Sequence, residues 1–424
     1  MSAVAGSFVQ DVDARAIGTH DLMVLDPQKH AGMTQGTPIA GDGAIVDVEG
    51  FRGKSGAVRH FDPRSGGLRP QMIAMPRMRS TMLSVLAPVL APVLAPVLAM
   101  VMLWLTACTA ELAPPGPSVV RPMETPGAFV MPDGVRLPYR VWLPPGAPDH
   151  QPAAVVLALH GMNDSRDAWE IPGPEFAAAG IAVYAPDQRG FGQTVSRGYW
   201  PGGQGLVDDA RVMTGLLRQR YPGVPLYLMG ESMGAAVLMV LATEPRAPNV
   251  AGYVLSAPAV WGRAEMNFFL RSVLWLASHT VPGLTLENRG YVKITASDNH
   301  EALVRLSKDP LTIHATRVDA TRGLVNLMDA ALAAAPKFHA HALFLYGGKD
   351  GLIPKQATSA TWRALPKSGA RLAYYPAGYH LQMRDLERAT VINDVVSWMK
   401  DPAAPLPSGA DQAAEGWLRS QLAK

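Results

Sequence analysis

Cysteine is nearly absent from this chain: Cys108 is the only one in 424 residues. A domain with no second cysteine holds no internal disulfide, so a packed core must stabilise it. Charge of one sign is also lacking, because 38 Lys and Arg face 35 Asp and Glu, a net charge of +3. That balance gives no field that would attract nucleic acid.

Motifs for metals and phosphates are missing as well. No cluster of His, Cys, Asp and Glu has the spacing of metal ligands, and neither a phosphate-binding loop nor a dinucleotide fingerprint occurs. We therefore expect no metal, no cofactor and no nucleic-acid partner, and no obligate protein partner is evident. What the chain has is apolar material, 48% of its residues, which is ample for a large core.

One stretch, LYLMGESMGAAV from Leu226 to Val237, sets an apolar run against a glycine-flanked serine. Pro225 to Met229 predicts a short buried strand, and the small aliphatic residues after the serine predict a helix packed on a sheet. This context is typical of a nucleophile elbow, with Ser232 exposed on a strained corner. Gly230 and Gly234 would be small because a Cβ there would collide with neighbouring backbone. The alternative is an ordinary glycine-rich turn.

A serine nucleophile needs a histidine to take its proton and a carboxylate to orient that histidine. Downstream, a predicted strand from His341 to Tyr346 is followed by Asp350, and the next strand-like run delivers His380. Singly, Asp350 reads as a loop carboxylate and His380 as a surface histidine. In the order Ser, Asp, His, each after a strand, they predict a catalytic triad, with Asp385 as the nearest other acid.

Donors for an oxyanion usually come from the residue after the nucleophile and from the loop after an earlier strand. A buried strand predicted from Ala153 to Leu159 ends in His160-Gly161. We assign the two donors to the backbone amides of Met162 and Met233. His160 is then expected to brace the loop rather than to act as a second base.

The residues from about Phe129 to Met399 resemble the monoacylglycerol lipase and lysophospholipase branch of the α/β-hydrolases, grouped with serine aminopeptidase-like hydrolases. The resemblance rests on the ordered motifs LHGMNDS, YAPDQRGFGQT, GESMG, NHEALVRLSKDPL, YGGKDGLIP and AGYHLQM. It implies a serine esterase with Ser232, Asp350 and His380 as triad and an apolar acyl pocket beneath a lid.

Two positions depart from the family pattern. Asn163 stands where a second glycine is common in the oxyanion loop, and Glu231 stands where histidine commonly precedes the nucleophile. Both lie near the predicted acyl site, so they bear on the head group. Asp187 and Arg189, in the YAPDQRGFGQT motif, are expected to fasten a loop rather than to touch substrate.

The N-terminal quarter reads differently. Residues 1–71 are predicted to be disordered, or an upstream extension from a start codon placed too early, with Met72, Met75 or Met78 as the true start. Residues 72–107 resemble a bacterial lipoprotein signal peptide, whose lipobox LTAC ends at Cys108. An uncleaved membrane anchor is the rival, although prolines within the APVL repeats disfavour a spanning helix. Residues 108–127 are predicted to be a proline-rich tether.

The fold expected is an α/β-hydrolase: a mostly parallel central sheet flanked by helices, over residues 128–400. The Asp133-Gly134 pair predicts a hairpin before it. A helical cap is expected at about 260–337, with Phe269, Val273 and Leu276 on one helical face that either packs on the domain or covers an acyl channel. Residues 401–424 are expected to form a tail or helix.

The sequence thus predicts a serine hydrolase that cleaves carboxylic esters of lipids, anchored to a membrane through lipidated Cys108. Its expected place is a bacterial envelope, facing the periplasm from an outer membrane. Within enzymes the alternative is an aminopeptidase or another small-substrate hydrolase using the same triad. The alternative outside enzymes is a non-catalytic lipoprotein that binds acyl chains.

Overall fold

The computed structural model describes residues 109–147, 149–287 and 295–422. The predicted upstream extension, the predicted signal peptide and Cys108 lie outside the described residues. Within the described ranges, no helix is both long enough and apolar enough to cross a bilayer.

Eleven strands occur in the described ranges. They are β1 Met123–Thr125, β2 Ala128–Val130, β3 Arg136–Trp142, β4 Ala154–Leu159, β5 Ile181–Pro186, β6 Leu226–Glu231, β7 Gly252–Ser256, β8 Thr285–Glu287, β9 Ala315–Arg317, β10 Ala342–Gly347 and β11 Ala370–Tyr375. Nine of them form one sheet in the order β1-β2-β3-β5-β4-β6-β7-β10-β11, and β8 pairs with β9 separately. Within this sheet, the neighbouring strands in the stretch β5-β4-β6-β7-β10-β11 pair parallel, and those in the stretch β1-β2-β3-β5 pair antiparallel.

Nine α-helices connect or flank these strands in the same ranges. They are α1 Pro172–Ala178, α2 Gly203–Arg220, α3 Met233–Thr243, α4 Phe268–Thr280, α5 His300–Lys308, α6 Val318–Ala334, α7 Lys355–Ala364, α8 Arg388–Lys400 and α9 Ala410–Leu422. The mostly parallel sheet flanked by helices confirms the predicted fold class.

The sheet is covered on both faces, which explains why its strands are continuous apolar runs. Every residue of β4, β5, β6 and β10 is buried. In β4, Val155, Leu157 and Leu159 pack with α2, α3 and α6 on one face. The alternate residues of β4 pack with α1 and α8 on the other. The carboxyl ends of the parallel strands therefore open together at one edge.

The predicted hairpin is present. β2 and β3 pair antiparallel, and the turn between them carries Gly134 at φ 80°, a conformation that favours glycine. The amide of Gly134 donates to the carbonyl of Met131 at 2.9 Å, and the amide of Met131 donates to that of Val135 at 2.8 Å. The hairpin extends the parallel sheet on the β5 side.

The segment between β7 and β10 contains the predicted cap, but its two halves differ. α4 is largely solvent-exposed, with Phe269 and Leu276 exposed, so the alternative of a face packed on the domain is wrong for these residues. Only Leu274 and Ser278 of α4 are buried. By contrast, α6 packs against α3 and supplies the main core, so the C-terminal part of the 260–337 range belongs to the hydrolase body.

The residues expected to form a free tether lie along the domain instead. The amide of Glu111 donates to Asp319 at 3.2 Å, and the amide of Ala113 donates to the carbonyl of Trp200 at 3.0 Å. The amide of Gly116 donates to Asp133 at 3.0 Å. A proline-rich segment has few amides, and these three are satisfied by the domain rather than by water.

Two helical glycines provide a matched test of this packing. A Cβ on Gly323 in α6 would lie 2.4 Å from the ring of buried Trp200, whereas a Cβ on Gly215 in α2 would meet nothing within 4 Å. We expect Gly323→Ala to lower the free energy of unfolding by about 1–3 kcal/mol, through overpacking. Gly215→Ala should raise it by about 0.5–1 kcal/mol, because alanine favours the helix. Urea titration measures both, and equal effects would contradict the packing of α6 against Trp200.

Candidate functional site

Ser232 occupies the predicted corner between β6 and α3, but the residue is buried rather than exposed. Its φ is 54° and its ψ is −111°, a backbone region that ordinary side chains rarely adopt. The amide of Ser232 donates to the carbonyl of Ser256 at 2.9 Å, and its carbonyl accepts from the amide of Ala259 at 3.0 Å. The loop after β7 thus holds this corner in place. Strain that is kept by its surroundings in this way is characteristic of functional sites.

The glycines on either side of Ser232 must be small, as predicted. A Cβ on Gly230 would lie 2.5 Å from the backbone of Gly234, and a Cβ on Gly234 would lie 2.4 Å from the carbonyl oxygen of Leu159. The start of α3 therefore touches the backbone at the end of β4. Because β4 and β6 are neighbours, this contact brings the segments that carry Met162 and Met233 together, and both residues are buried.

Asp350 and His380 meet at the ends of β10 and β11. The Nδ1–H of His380 donates to Oδ2 of Asp350 at 2.8 Å. The other oxygen, Oδ1, accepts from the amides of Leu352 at 2.7 Å and Ile353 at 2.9 Å. These two amides hold the carboxylate in the position from which Oδ2 orients the imidazole of His380. The structure brings together the two residues that the sequence places 30 positions apart.

Glycines permit this meeting too. A Cβ on Gly347 would lie 2.3 Å from the carbonyl oxygen of Tyr379, so only glycine lets the end of β10 approach the segment that carries His380. The amide of Lys349 donates to the carbonyl of Gly378 at 2.9 Å. Backbone contacts thus join the loops of Asp350 and His380, in addition to the hydrogen bond between the two side chains.

The electrostatics of His380 are set by opposing influences. Complete burial disfavours the imidazolium, but the negative charge of Asp350 and its hydrogen bond outweigh burial, so the pKa of His380 is raised. Glu231 raises this pKa further, and Arg384 opposes the increase. A buried imidazole that is stabilised in its charged form is suited to accept a proton during a reaction.

The segment after β11 reaches back across the sheet edge. Gln382 Nε2 donates to Ser256 Oγ at the end of β7 at 3.4 Å, and Arg384 Nη2 donates to Glu231 at the end of β6 at 2.6 Å. The amide of Leu381 donates to the carbonyl of Ala296 at 2.9 Å. The segment of His380 therefore contacts both the strand that leads to Ser232 and the cap.

His160 braces the loop after β4, as predicted. Its Nδ1 donates to the carbonyl of Gly161 at 2.7 Å, and its Nε2 accepts from the amide of Gln188 at 3.0 Å. Burial lowers the pKa of His160, which favours the neutral ring that this pair of bonds requires.

Asp187 and Arg189 also have the structural roles expected of them. Asp187 accepts from the amide of Arg166 at 2.7 Å and from the amide of Gln193 at 2.8 Å. Arg189 lies between Asp133 at 2.7 Å and Asp209 at 2.8 Å. Both residues tie loops together.

The two departures from the family pattern have partners in the structure. Asn163 has a φ of 65°, which asparagine tolerates better than most residues. Its carbonyl accepts from the amide of Ile313 at 2.8 Å, and its Nδ2 donates to Thr316 Oγ1 at 2.6 Å. Asn163 thus joins the loop after β4 to β9. Glu231 is paired with Arg384.

Arg384 is the residue that sequence reasoning missed. Its signal was Glu231 itself, because a carboxylate between a buried strand and a buried helix needs a cationic partner. Asp385 contributes differently: it accepts from Ser297 Oγ at 2.6 Å and from the amide of Tyr379 at 2.8 Å. Burial raises the pKa of Asp385 to about 6. Asp350, not Asp385, contacts the His380 ring through Nδ1.

A serine on a strained strand-to-helix corner, a buried His–Asp pair after later strands and a mostly parallel sheet define a serine hydrolase of the α/β-hydrolase fold. The chain belongs to the serine aminopeptidase S33 family, which matches residues 150–387. Within the described ranges, no group of three or more His, Cys, Asp or Glu residues is arranged to hold a metal ion.

Similar proteins include lipases. Monoacylglycerol lipase of Mycolicibacterium smegmatis is 30% identical over 270 residues, which cover 63% of this chain and 93% of the relative. Monoglyceride lipase of Homo sapiens is 26% identical over 284 residues, covering 64% of this chain and 89% of that protein.

Solved structures agree on the fold. A soluble variant of monoglyceride lipase from Saccharomyces cerevisiae has a TM-score of 0.56 at 18% identity, covering 68% of this chain and 97% of that one. Monoacylglycerol lipase of Paleococcus ferrophilus has a TM-score of 0.52 at 21% identity, covering 62% and 98%. At these identities the likeness speaks to the fold alone.

Proposed function

We propose that this protein hydrolyses carboxylic esters of lipids of the monoacylglycerol or lysophospholipid type. The observation that carries the proposal is the His380–Asp350 hydrogen bond of 2.8 Å, taken together with the strained corner of Ser232. Similar chains named monoacylglycerol and monoglyceride lipases support the substrate class.

In this mechanism the Oγ of Ser232 attacks the ester carbonyl while His380 accepts its proton. Asp350 holds the imidazole with its proton on Nδ1 and stabilises the imidazolium that forms. The backbone amides of Met162 and Met233 donate to the oxyanion. His380 then returns the proton to the leaving alcohol, and water releases the acyl group from Ser232 by the same steps.

We expect Ser232→Ala to lower ester hydrolysis by roughly a thousandfold or more while the fold survives, because only the nucleophile is lost. His380→Ala should be equally severe, and Asp350→Asn nearly so, because it leaves the imidazole in the wrong tautomer. Steady-state hydrolysis of a monoacylglycerol by variants with native circular dichroism measures this. Near-normal turnover by folded Ser232→Ala would refute the triad. If Asp350→Asn alone kept normal activity, Asp385 would be the candidate for the acid that orients His380.

Covalent labelling separates an enzyme from a non-catalytic acyl-binding lipoprotein. A fluorophosphonate forms a covalent bond with an activated serine, so wild type should be labelled and Ser232→Ala should not. A folded wild type that binds fatty acid but resists labelling would favour the binding protein.

The cap supports a lipid substrate over a peptide. Its helix α4 exposes large apolar side chains, with Phe268 83% and Trp275 63% exposed, together with Phe269 and Leu276. Exposed apolar area of this kind marks a surface for lipid or another apolar partner. The rival, an aminopeptidase using the same triad, is favoured by the family's description.

Activity should therefore rise with acyl length from acetyl towards medium or long chains. Each methylene buried against the cap adds up to about 0.8 kcal/mol of binding. Rates for p-nitrophenyl esters of increasing length, set beside aminoacyl amides, measure the preference. Flat dependence on length, or faster turnover of the amides, would favour the aminopeptidase.

We further propose that Cys108 is lipidated and holds the domain at a membrane, with the outer membrane of a bacterium as its place. The lipobox sequence LTAC supports this. The contact of Glu111 with Asp319 leaves only Thr109 and Ala110 between Cys108 and the domain. Since Asp319 also donates its amide to the carbonyl of Pro282, the segment at Glu111 lies beside the end of α4.

The mature N-terminus tests this proposal. Mass spectrometry of the membrane fraction should find acylated Cys108 as the first residue of the wild type. Cys108→Ser should lose both acylation and processing. The membrane anchor would be lost with them, because two or three acyl chains on one cysteine are what hold such a protein firmly. An intact chain with residues 1–107 attached would show an uncleaved anchor instead.

A further inference from the structure

Arg384, Asp164 and Glu231 form a buried ion cluster next to the site residues in the chain. Arg384 Nη2 donates to Asp164 Oδ2 at 2.7 Å and to Glu231 Oε1 at 2.6 Å. The three side chains are almost entirely buried, with 5%, 1% and 4% of the side chains of Arg384, Asp164 and Glu231 exposed. One guanidinium nitrogen therefore serves two carboxylates.

The three residues come from three different segments of the site. Asp164 is two residues after Met162, Glu231 directly precedes Ser232, and Arg384 is four residues after His380. The cap joins the cluster as well, because Asn299 Nδ2 donates to the carbonyl of Arg384 at 2.9 Å. The cluster thus links the segments assigned to oxyanion binding, nucleophilic attack and proton transfer.

Stability alone does not account for such a cluster. Burying two carboxylates and one cation costs desolvation free energy that their attraction only partly offsets, and apolar replacements of similar volume are often at least as stable. Asp164 recovers some of this cost, because its Oδ1 accepts from the amide of Ser165 at 2.8 Å. Buried ionic groups can instead fix one relative arrangement of the segments they join.

We propose that Arg384 is a positioning residue: it holds the segments of Met162, Ser232 and His380 in one arrangement and balances the carboxylates of Asp164 and Glu231. This inference rests on the proposed function, in which His380 is the base. Arg384 itself touches neither substrate nor the reacting atoms in this scheme.

The charges that face His380 allow a directional test. Asp350 faces it from the loop after β10, Glu231 from the end of β6, and Arg384 from its own segment. Asp164 acts through Arg384, and the nearby Asp385 is engaged with Ser297 and Tyr379. Since Glu231 raises the pKa of His380 and Arg384 lowers it, removing each charge should move that pKa in opposite directions.

The experiment is the pH profile of kcat/KM on a soluble p-nitrophenyl ester, whose acid limb reports the base in the free enzyme. His380 accepts a proton only when neutral, so a lower pKa extends activity to lower pH. We expect Glu231→Gln, which keeps an acceptor for Arg384, to move the acid limb to lower pH. Arg384→Met should move it to higher pH and reduce kcat by up to about a hundredfold, through misplaced loops. Arg384→Lys should recover part of that loss.

Arg189 offers a matched control, because it also lies between two carboxylates, Asp133 and Asp209, and it pairs with neither Asp164 nor Glu231. Asp209→Asn should change stability without moving the acid limb. Acid limbs that stay at the wild-type position in Glu231→Gln and Arg384→Met, or that move in the same direction, would overturn the proposal. If Arg384→Met fails to fold, the limb of Glu231→Gln decides. Failure of the proposed function is distinct, since either the wild type would then not hydrolyse the ester or Ser232→Ala would stay active.

Discussion

The constraint on which the site depends is the backbone corner at Ser232. A non-glycine residue at φ 54° costs on the order of 1–3 kcal/mol and persists only where the surroundings enforce it. Here the carbonyl of Ser256 and the amide of Ala259 hold the corner from one side. Gly234 lets α3 abut the backbone of Leu159 on the other. The sheet and helices supply the rigid frame that sustains this strain, and the loops of the site converge on it.

Much of this frame could be predicted, because local chemistry determines it. A parallel strand that is buried on both faces must be continuously apolar, so β4, β6 and β10 were found to within two residues at each end. The glycines around Ser232 and before Asp350 mark close backbone approaches, which single residues reveal. Chain order then paired Asp350 with His380, because carboxyl ends of neighbouring parallel strands share one edge.

The rest depended on contacts between residues far apart in sequence. Arg384 and Asp164 are 220 positions apart, and no local pattern states that they meet. α6 has the same amphipathic character as a cap helix, and only its packing on α3 assigns it to the core. The segment near Glu111 has the composition of a free tether, yet its few amides find acceptors on the domain. In each case tertiary packing overrode what composition indicated.

Asn163 shows how a departure from a family pattern can carry structure. Glycine would supply the φ of 65° at no cost, but it would give up the side-chain bond to Thr316. By keeping both, Asn163 couples the loop of Met162 to β9, which pairs with β8 just after α4. Asn163 would therefore transmit a shift of the cap to the amide of Met162, which is proposed to bind the oxyanion.

Burial shapes the electrostatics of the site. A fully buried histidine resists becoming a cation, yet the proposed chemistry requires that it do so in the transition state. Asp350 and Glu231 supply negative charge that stabilises the buried imidazolium. With those carboxylates alone, the pKa of His380 would be higher still, because Arg384 is the charge that opposes them. The buried cation that was hardest to foresee therefore acts on the proposed base in the direction opposite to its carboxylate neighbours.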